Sequence, residues 1–296
     1  MASLACALLG SVEIARDGEP VTRFATDKVR ALLVYLVVEA GRAHRRDELA
    51  ELLWPDQPPS AARNSLRQAL ALLRQALGAA DARPPFLLIS REWVQCNPAA
   101  EVRLDVAQFT ALLAACEQHA HTRLEGCTPC AQRLAQAASL YRGTFLQDIT
   151  VRDSVAFEEW ALLKRDGLQR GVIHALHRLA AYHERRRAYQ EAEQYAWRQV
   201  ALDPWREEAH QQLMRVLALG GQRSAALQQY ETCRRILADE LGVEPMEETT
   251  ALYEQIRTGT LARPAARPSP VHSLPPQPTS FVGRGAERAE LAERLT

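Results

Sequence analysis

Two stretches of this chain carry residue types whose spacing can do chemistry. In CEQHAHTRLEGCTPC, Cys116 and His119 stand three apart at the end of a helical pattern, which puts them on one face. Cys127-x-x-Cys130 has the knuckle spacing of zinc sites, with Gly126 and Pro129 permitting the turn. Three thiolates and one imidazole make a closed tetrahedral structural site, with His121 a rival to His119 for the fourth position. A closed site has no open position, so it would staple the chain and catalyse nothing. A redox Cys-x-x-Cys and a set of unreactive thiols are the competing readings. The βαβ pattern that a thioredoxin-like motif needs does not surround it.

The second stretch is PSAARNSLRQALALLRQALG, residues 59–78, set in a run without any acidic residue between Asp56 and Asp81. Ala62, Leu66, Ala69, Leu70, Leu73 and Leu77 recur at three- and four-residue steps, the stripe of an amphipathic helix. Ser60 is expected to cap its start and Gly78 to end it in the left-handed region. The opposite face carries Arg63, Asn64, Arg67, Gln68, Arg74 and Gln75. Arginine pairs bidentately with guanine or holds phosphate, and Asn or Gln pairs with adenine. Such a helix fits a DNA major groove, although a solvated polar face has the same composition.

These helices need a scaffold. Leu4–Leu9 and Ser11–Ala15 read as short strands joined through a turn to Val21. Thr26 or Asp27 then caps a helix whose core face is Ala31, Leu32, Leu33, Tyr35, Leu36 and Val38. A second helix carries Leu49, Leu52, Leu53 and Trp54 and stops at Pro55. After the Arg-rich helix, FLLISREWVQCNP alternates like a hairpin with Arg91-Glu92 at its turn. From Asp105 onward the pattern is helical: a stripe ending near Cys116, another over Leu134–Tyr141, then 157–170, 172–186, 189–202, 207–219, 223–241 and 247–257. Ala192 and Ala226 stand 34 residues apart, the tetratricopeptide period. The expected fold is mainly α: an N-terminal winged helix-turn-helix (α+β) over 1–98, then an all-α tetratricopeptide-like domain over 99–258. Residues 259–280 are Pro-, Ala- and Ser-rich and read as a linker.

The charge balance is even, 36 Lys plus Arg against 36 Asp plus Glu, so no global basic field announces nucleic acid. The first 98 residues hold twelve Arg or Lys against eleven Asp or Glu, so only the one helix is locally basic. Lys28 and Lys164 are the only lysines. The start lacks the charged region of a signal peptide, and no apolar run reaches membrane-spanning length. Six cysteines without a secretory signal indicate reduced thiols and a cytoplasmic location. Cys6, Cys96 and Cys233 fall in apolar patterns as core residues, and His174, His177 and His183 lie along one helix without a metalloprotease Glu. No Gly-x-Ser-x-Gly elbow occurs and no nucleophile has a recognisable base partner, so the expected mechanism is positioning, without enzymatic chemistry.

The order strands, three helices, hairpin resembles the OmpR-type winged helix. That resemblance implies a second helix bracing a third, which enters the major groove by its N-terminal part. Arg63, Asn64, Arg67 and Gln68 would then face base edges and Arg74 phosphate, while Lys28, Arg30, Arg45 and Arg46 would hold the backbone. Arg91 or Trp93 of the hairpin would touch the backbone or minor groove, although an aromatic in a strand is more often core. The segment from YRGTFLQD through FEEW to QYAWRQVALDPWREEAHQQLMRVLALGGQRSAALQQYETCRRILADELGVEP is similar to the bacterial transcriptional activator domain. That domain accompanies such a winged helix in the Streptomyces antibiotic regulatory protein family and its larger relatives. The resemblance covers roughly residues 4–257. It implies a transcription regulator, usually an activator, that binds direct repeats in double-stranded DNA, with a homodimer on the repeats and RNA polymerase as partner. A metal is no requirement of that family. FVGRGAERAELAERLT, residues 281–296, resembles the opening of a STAND-type NTPase domain, where Val282, Gly283 and Arg284 would lie near an adenine. ATP would concern only a downstream domain, since no GxxxxGK[ST] loop is present, and the chain is expected to be the first part of a longer regulator. The rival reading is a helical-repeat interaction scaffold whose winged helix reads no DNA, for which the near-neutral N-terminal domain is the best support.

Overall fold

A computed structural model of the chain describes residues 2–78, 83–120 and 126–261. His121, most of the Pro-rich stretch and the FVGR segment with Val282, Gly283 and Arg284 lie outside the described residues. Residues through Leu261 form one compact unit. Short strands β1 (Ser3–Ala7), β2 (Glu13–Arg16) and β3 (Glu19–Pro20) precede α1 (Asp27–Val38). Then come β4 (His44–Arg45), α2 (Arg46–Leu53), α3 (Pro59–Ala76), β5 (Leu87–Ile89), β6 (Trp93–Cys96) and β7 (Glu101–Leu104). The all-helical half follows: α4 (Asp105–Glu117), α5 (Thr128–Leu140), α6 (Val155–Arg185), α7 (Tyr189–Leu202), α8 (Glu207–Leu219), α9 (Arg223–Leu241) and α10 (Glu247–Thr258).

The N-terminal sheet has the order β3-β2-β1-β7, with β7 parallel to β1 and the other pairs antiparallel. Its fourth strand, unforeseen in the sequence, comes from just past residue 98. The wing sheet has the order β4-β6-β5. Thr26 does cap α1, its side chain accepting from the Val29 N–H. α1 is the buried central helix, with Val29, Ala31, Leu32, Leu33, Val34, Leu36 and Val37 all in the core.

One core cluster runs from β1 through the three N-terminal helices into α4, α5 and α6. Polar clamps reinforce it. The buried Asp105 carboxylate accepts from the Leu8 and Leu9 N–H groups at 2.7 and 2.9 Å. Trp160, of the FEEW run, packs on Tyr35 with centroids 5.0 Å apart and donates its indole N–H to Glu39 at 3.0 Å. Burial raises the Glu39 carboxyl, but the hydrogen bonds from Lys164 and Trp160 outweigh it and hold the group below its ordinary value. Ser154 caps α6 and also donates its hydroxyl to the Leu52 carbonyl.

The two helices expected over 157–170 and 172–186 are one helix of 31 residues. Gly171, which falls between the two expected spans, serves packing. A Cβ there would stand 3.0 Å from Leu113 and 3.3 Å from Phe109, so its hydrogen lets α4 approach α6. The later helices fall where the repeat pattern placed them, and Ala192 and Ala226 are both fully buried at equivalent places in α7 and α9. Tyr182 is buried and Tyr195 half-buried, whereas Trp197 and Trp205 are exposed.

Between α8 and α9, His210 is fully buried. Its Nε2 lies 2.9 Å from the Pro204 carbonyl, and its Nδ1 accepts from Gln229 at 2.7 Å. That arrangement suits one neutral tautomer, with Nε2–H donating. Burial lowers its pKa accordingly. The folded state therefore holds fewer protons than the unfolded chain below about pH 6.5. Stability is present above that value and is lost as pH falls through the unfolded and then the folded pKa. We expect thermal melts to drop on going from about pH 7.5 to about pH 5.5, by about 1.4 kcal/mol per unit of depression. His210→Gln should flatten that acid limb; an unchanged limb would remove His210 as its cause.

Candidate nucleic-acid interface

α3 sets the geometry of the site. Its apolar residues Ala62, Leu66, Ala69, Leu70 and Leu73 are buried against α1 and α2. Each fully buried leucine contributes about 1.5–3 kcal/mol. This fixes the helix rotation and turns Arg63, Asn64, Arg67, Gln68, Arg74 and Gln75 outward, all exposed. The helix begins one residue before the expected cap. Pro58 is the N-cap, Pro59 the first helical residue, and Ser60 lies inside the first turn. Proline suits that position because its missing N–H would be orphaned anyway. No side chain caps this end, so its positive pole and the Ser60 and Ala61 N–H groups face outward beside Arg63. At the other end Gly78 is left-handed, with φ at +56°. Arg16 donates to the Leu77 and Gly78 carbonyls at 3.0 and 2.9 Å, closing the negative pole. A Cβ on Gly78 would collide with that guanidinium.

The wing stands beside α3. Ser90 accepts through Oγ from the Glu92 and Trp93 N–H groups, shaping the β5–β6 turn. Arg91 is exposed at its tip. Arg46 donates its guanidinium to the Ser90 carbonyl at 3.1 Å and its backbone N–H to Glu92 at 2.9 Å, tying the start of α2 to the wing. Arg45 lies directly across from Trp93 in the β4–β6 pair, so the two share a face. Trp93 is 37% exposed and so is not the core residue that aromatic strand statistics favour. Arg74 shares a cleft with Pro85, Phe86, Leu87 and Ile89 at the root of the wing.

The predicted cations are thus used differently. Among the described residues, no ion pair engages Arg45, Arg67, Arg74 or Arg91. Arg63 meets Asp47 at 3.2 Å in an exposed pair, which water screens and a phosphate can replace. Arg46 is half-buried and Arg30 likewise. Lys28 is committed elsewhere: its ammonium binds Asp153 at 2.6 Å and lies 5.4 Å from the centre of the Trp54 ring. The Lys28 hydrogen bond holds the Asp153 carboxyl below its ordinary value. Lys28 therefore fastens α1 to the loop before α6.

A helix presenting unpaired arginines and an uncapped positive pole, with an arginine-tipped hairpin beside it, has the layout of a winged helix-turn-helix. Residues 104–257 match the bacterial transcriptional activator domain, and residues 22–92 match the C-terminal domain of transcriptional regulatory proteins. The chain belongs to the bacterial transcriptional activator domain family. It has the domain pair of the Streptomyces antibiotic regulatory protein type of regulator. The regulatory protein AfsR of Streptomyces coelicolor is 29% identical over 308 residues, which cover 98% of this chain and 28% of AfsR. The transcriptional regulatory protein EmbR of Mycobacterium tuberculosis is 30% identical over 84% of this chain and 62% of EmbR. The chain thus spans less than a third of the one relative and about three fifths of the other. A structure of EmbR in complex with a low affinity phosphopeptide superposes with a TM-score of 0.66 at 27% identity, covering 88% of this chain and 66% of that one.

Of the predicted metal ligands, the fold brings His119, Cys127 and Cys130 together, their ligand atoms all within 4.8 Å of one another. Cys116, fully buried in the last turn of α4, is not in that group; its Sγ lies 3.6 Å from the Cys130 carbonyl oxygen. All six cysteines are free. Among the described residues, no helix is long and apolar enough to cross a membrane.

Proposed function

We propose that this chain is the DNA-reading and activating part of a transcription regulator, with α3 in the major groove. The observation that carries the reading is the exposed Arg63-Asn64, Arg67-Gln68 face, held outward by buried Leu66 and Leu70. In the proposed complex Arg63, Asn64, Arg67 and Gln68 face base edges. Arg74, Arg45 and Arg46 meet phosphates, and the uncapped α3 terminus adds backbone donors to one of them. Arg91 and Trp93 reach the adjacent backbone or minor groove. Family membership supports binding to direct repeats by more than one copy, and contact of the helical-repeat half with RNA polymerase. The continuous core between the two halves supports a head and activator domain that move as one body. A cytoplasmic protein with reduced thiols fits the same reading.

The test is selection of bound fragments from genomic DNA by the purified chain, followed by a salt titration on the enriched site. We expect a repeated short motif whose affinity falls steeply with salt, since each phosphate contact adds about 0.9 to the slope. Binding without sequence preference, or binding indifferent to salt, would favour the interaction-scaffold reading instead.

A further inference from the structure

The Cys/His group at the α4–α5 junction lies outside the proposed DNA-reading residues and is built like a site. Cys116 lies in the last turn of α4 and His119 just beyond its end. Cys127 is the N-cap of α5, and Cys130 sits in its first turn. His119 Nδ1 stands 3.2 Å from Cys130 Sγ and 3.4 Å from Cys127 Sγ. A tetrahedral zinc ion, with Zn–S of about 2.3 Å and Zn–N of about 2.0 Å, spaces nitrogen and sulfur ligands about 3.5 Å apart. Both nitrogen–sulfur distances are thus close to the edge length of that tetrahedron, and the ligands come from either side of the α4–α5 junction.

We propose that His119, Cys127 and Cys130 bind a structural zinc ion, with the Cys116 thiolate as the fourth ligand. Cys116 Sγ lies beside the group, 3.6 Å from the Cys130 carbonyl oxygen, and completes the site by turning from that oxygen to the ion. Binding displaces the thiol protons to solvent and leaves three thiolates and one neutral imidazole around a dication, a net charge of about −1. Arg133, one turn into α5, points its guanidinium at Cys130 Sγ from 4.0 Å and supplies the compensating charge. Next to the ligands, Thr128 is hydrogen-bonded to Tyr182 of α6 at 3.1 Å. The ion would therefore close the loop between α4 and α5 and hold that pair against the long helix. That is a staple of the activator half, with no open coordination position for catalysis.

The experiment uses the full chain purified under reducing conditions, exposed to zinc, desalted and assayed for bound metal, then repeated with cobalt. We expect about one equivalent of zinc per chain, and for cobalt the tetrahedral ligand-field bands with a thiolate charge-transfer band. Cys127→Ser and His119→Ala should lower metal affinity at least about tenfold, while Cys233→Ala, outside the group, leaves it unchanged. Far-UV circular dichroism of each variant separates a lost ligand from a lost fold. Cys116→Ser should retain the metal more weakly and lose about a third of the charge-transfer intensity. Binding of less than about a tenth of an equivalent overturns the site, as does a Cys127–Cys130 disulfide in protein isolated under reducing conditions. A Cys116→Ser spectrum identical to that of the parent overturns the assignment of the fourth ligand.

Discussion

Arg67→Ala should sharply reduce discrimination between the enriched DNA site and random duplex while leaving the fold intact. Arg67 sits mid-helix on α3, exposed and without an ion pair, next to fully buried Leu66. That leucine sets its direction. A bidentate arginine–guanine pair discriminates by about 1–3 kcal/mol, so the ratio of specific to non-specific affinity should fall by about five- to 150-fold. Arg74→Ala offers the contrast. At the C-terminal end of α3, beside the wing, it should weaken all sequences alike and reduce the salt slope by about one. Anisotropy titrations of both variants on specific and scrambled duplexes separate the two roles. An unchanged affinity ratio for Arg67→Ala would remove it from base reading.

Asp105→Ala should be the most damaging single change to stability among the polar residues of the shared core. The side chain is 8% exposed and accepts from three backbone N–H groups: Leu8 at 2.7 Å, Leu9 at 2.9 Å and Val106 at 2.7 Å. Arg142 approaches the same carboxylate at 3.8 Å while its own backbone N–H donates to Leu9. Alanine leaves these donors buried without an acceptor, at about 1–3 kcal/mol each. A total loss of about 3–5 kcal/mol corresponds to a melting temperature about 10 °C lower for a unit of this size. Asp105→Asn keeps one acceptor oxygen and should lose roughly half as much. A melting temperature for the alanine variant within about 1 °C of the parent would show that this clamp carries no stability.

Much of this was legible in the sequence, and the failures share a cause. α3 and α7 through α10 announce themselves because each buries one stripe against neighbours close in sequence, so local periodicity reports the burial. β7 does not: four residues pair in parallel with β1, some ninety-eight positions away, and nothing local distinguishes EVRL from a loop. The same distance hid the uses of Asp105 and Lys28, whose partners at Leu8, Leu9 and Asp153 lie 96 to 125 residues off. Lys28 read as a free helix-start cation because its partner is supplied by the other half of the chain. The break expected between residues 170 and 172 is absent, and the missing side chain of Gly171 serves the approach of α4. Trp93 shows the reverse error: a general preference for buried aromatics lost to its place on the open face of the wing. Of the cysteine cluster, spacing pointed to Cys116, His119 or His121, Cys127 and Cys130; three of these converge, whereas the place of Cys116 against the Cys130 carbonyl depends on how α4 meets α5.

The central claim, that α3 reads the major groove, is tested most directly by dimethyl sulfate protection on the enriched site, because the reagent methylates guanine N7 in that groove. We predict protected guanines in each repeat of the motif, with protection lost selectively in Arg67→Ala and retained in Arg74→Ala at saturating protein. Full binding with every guanine N7 still reactive would mean that α3 is not in the major groove.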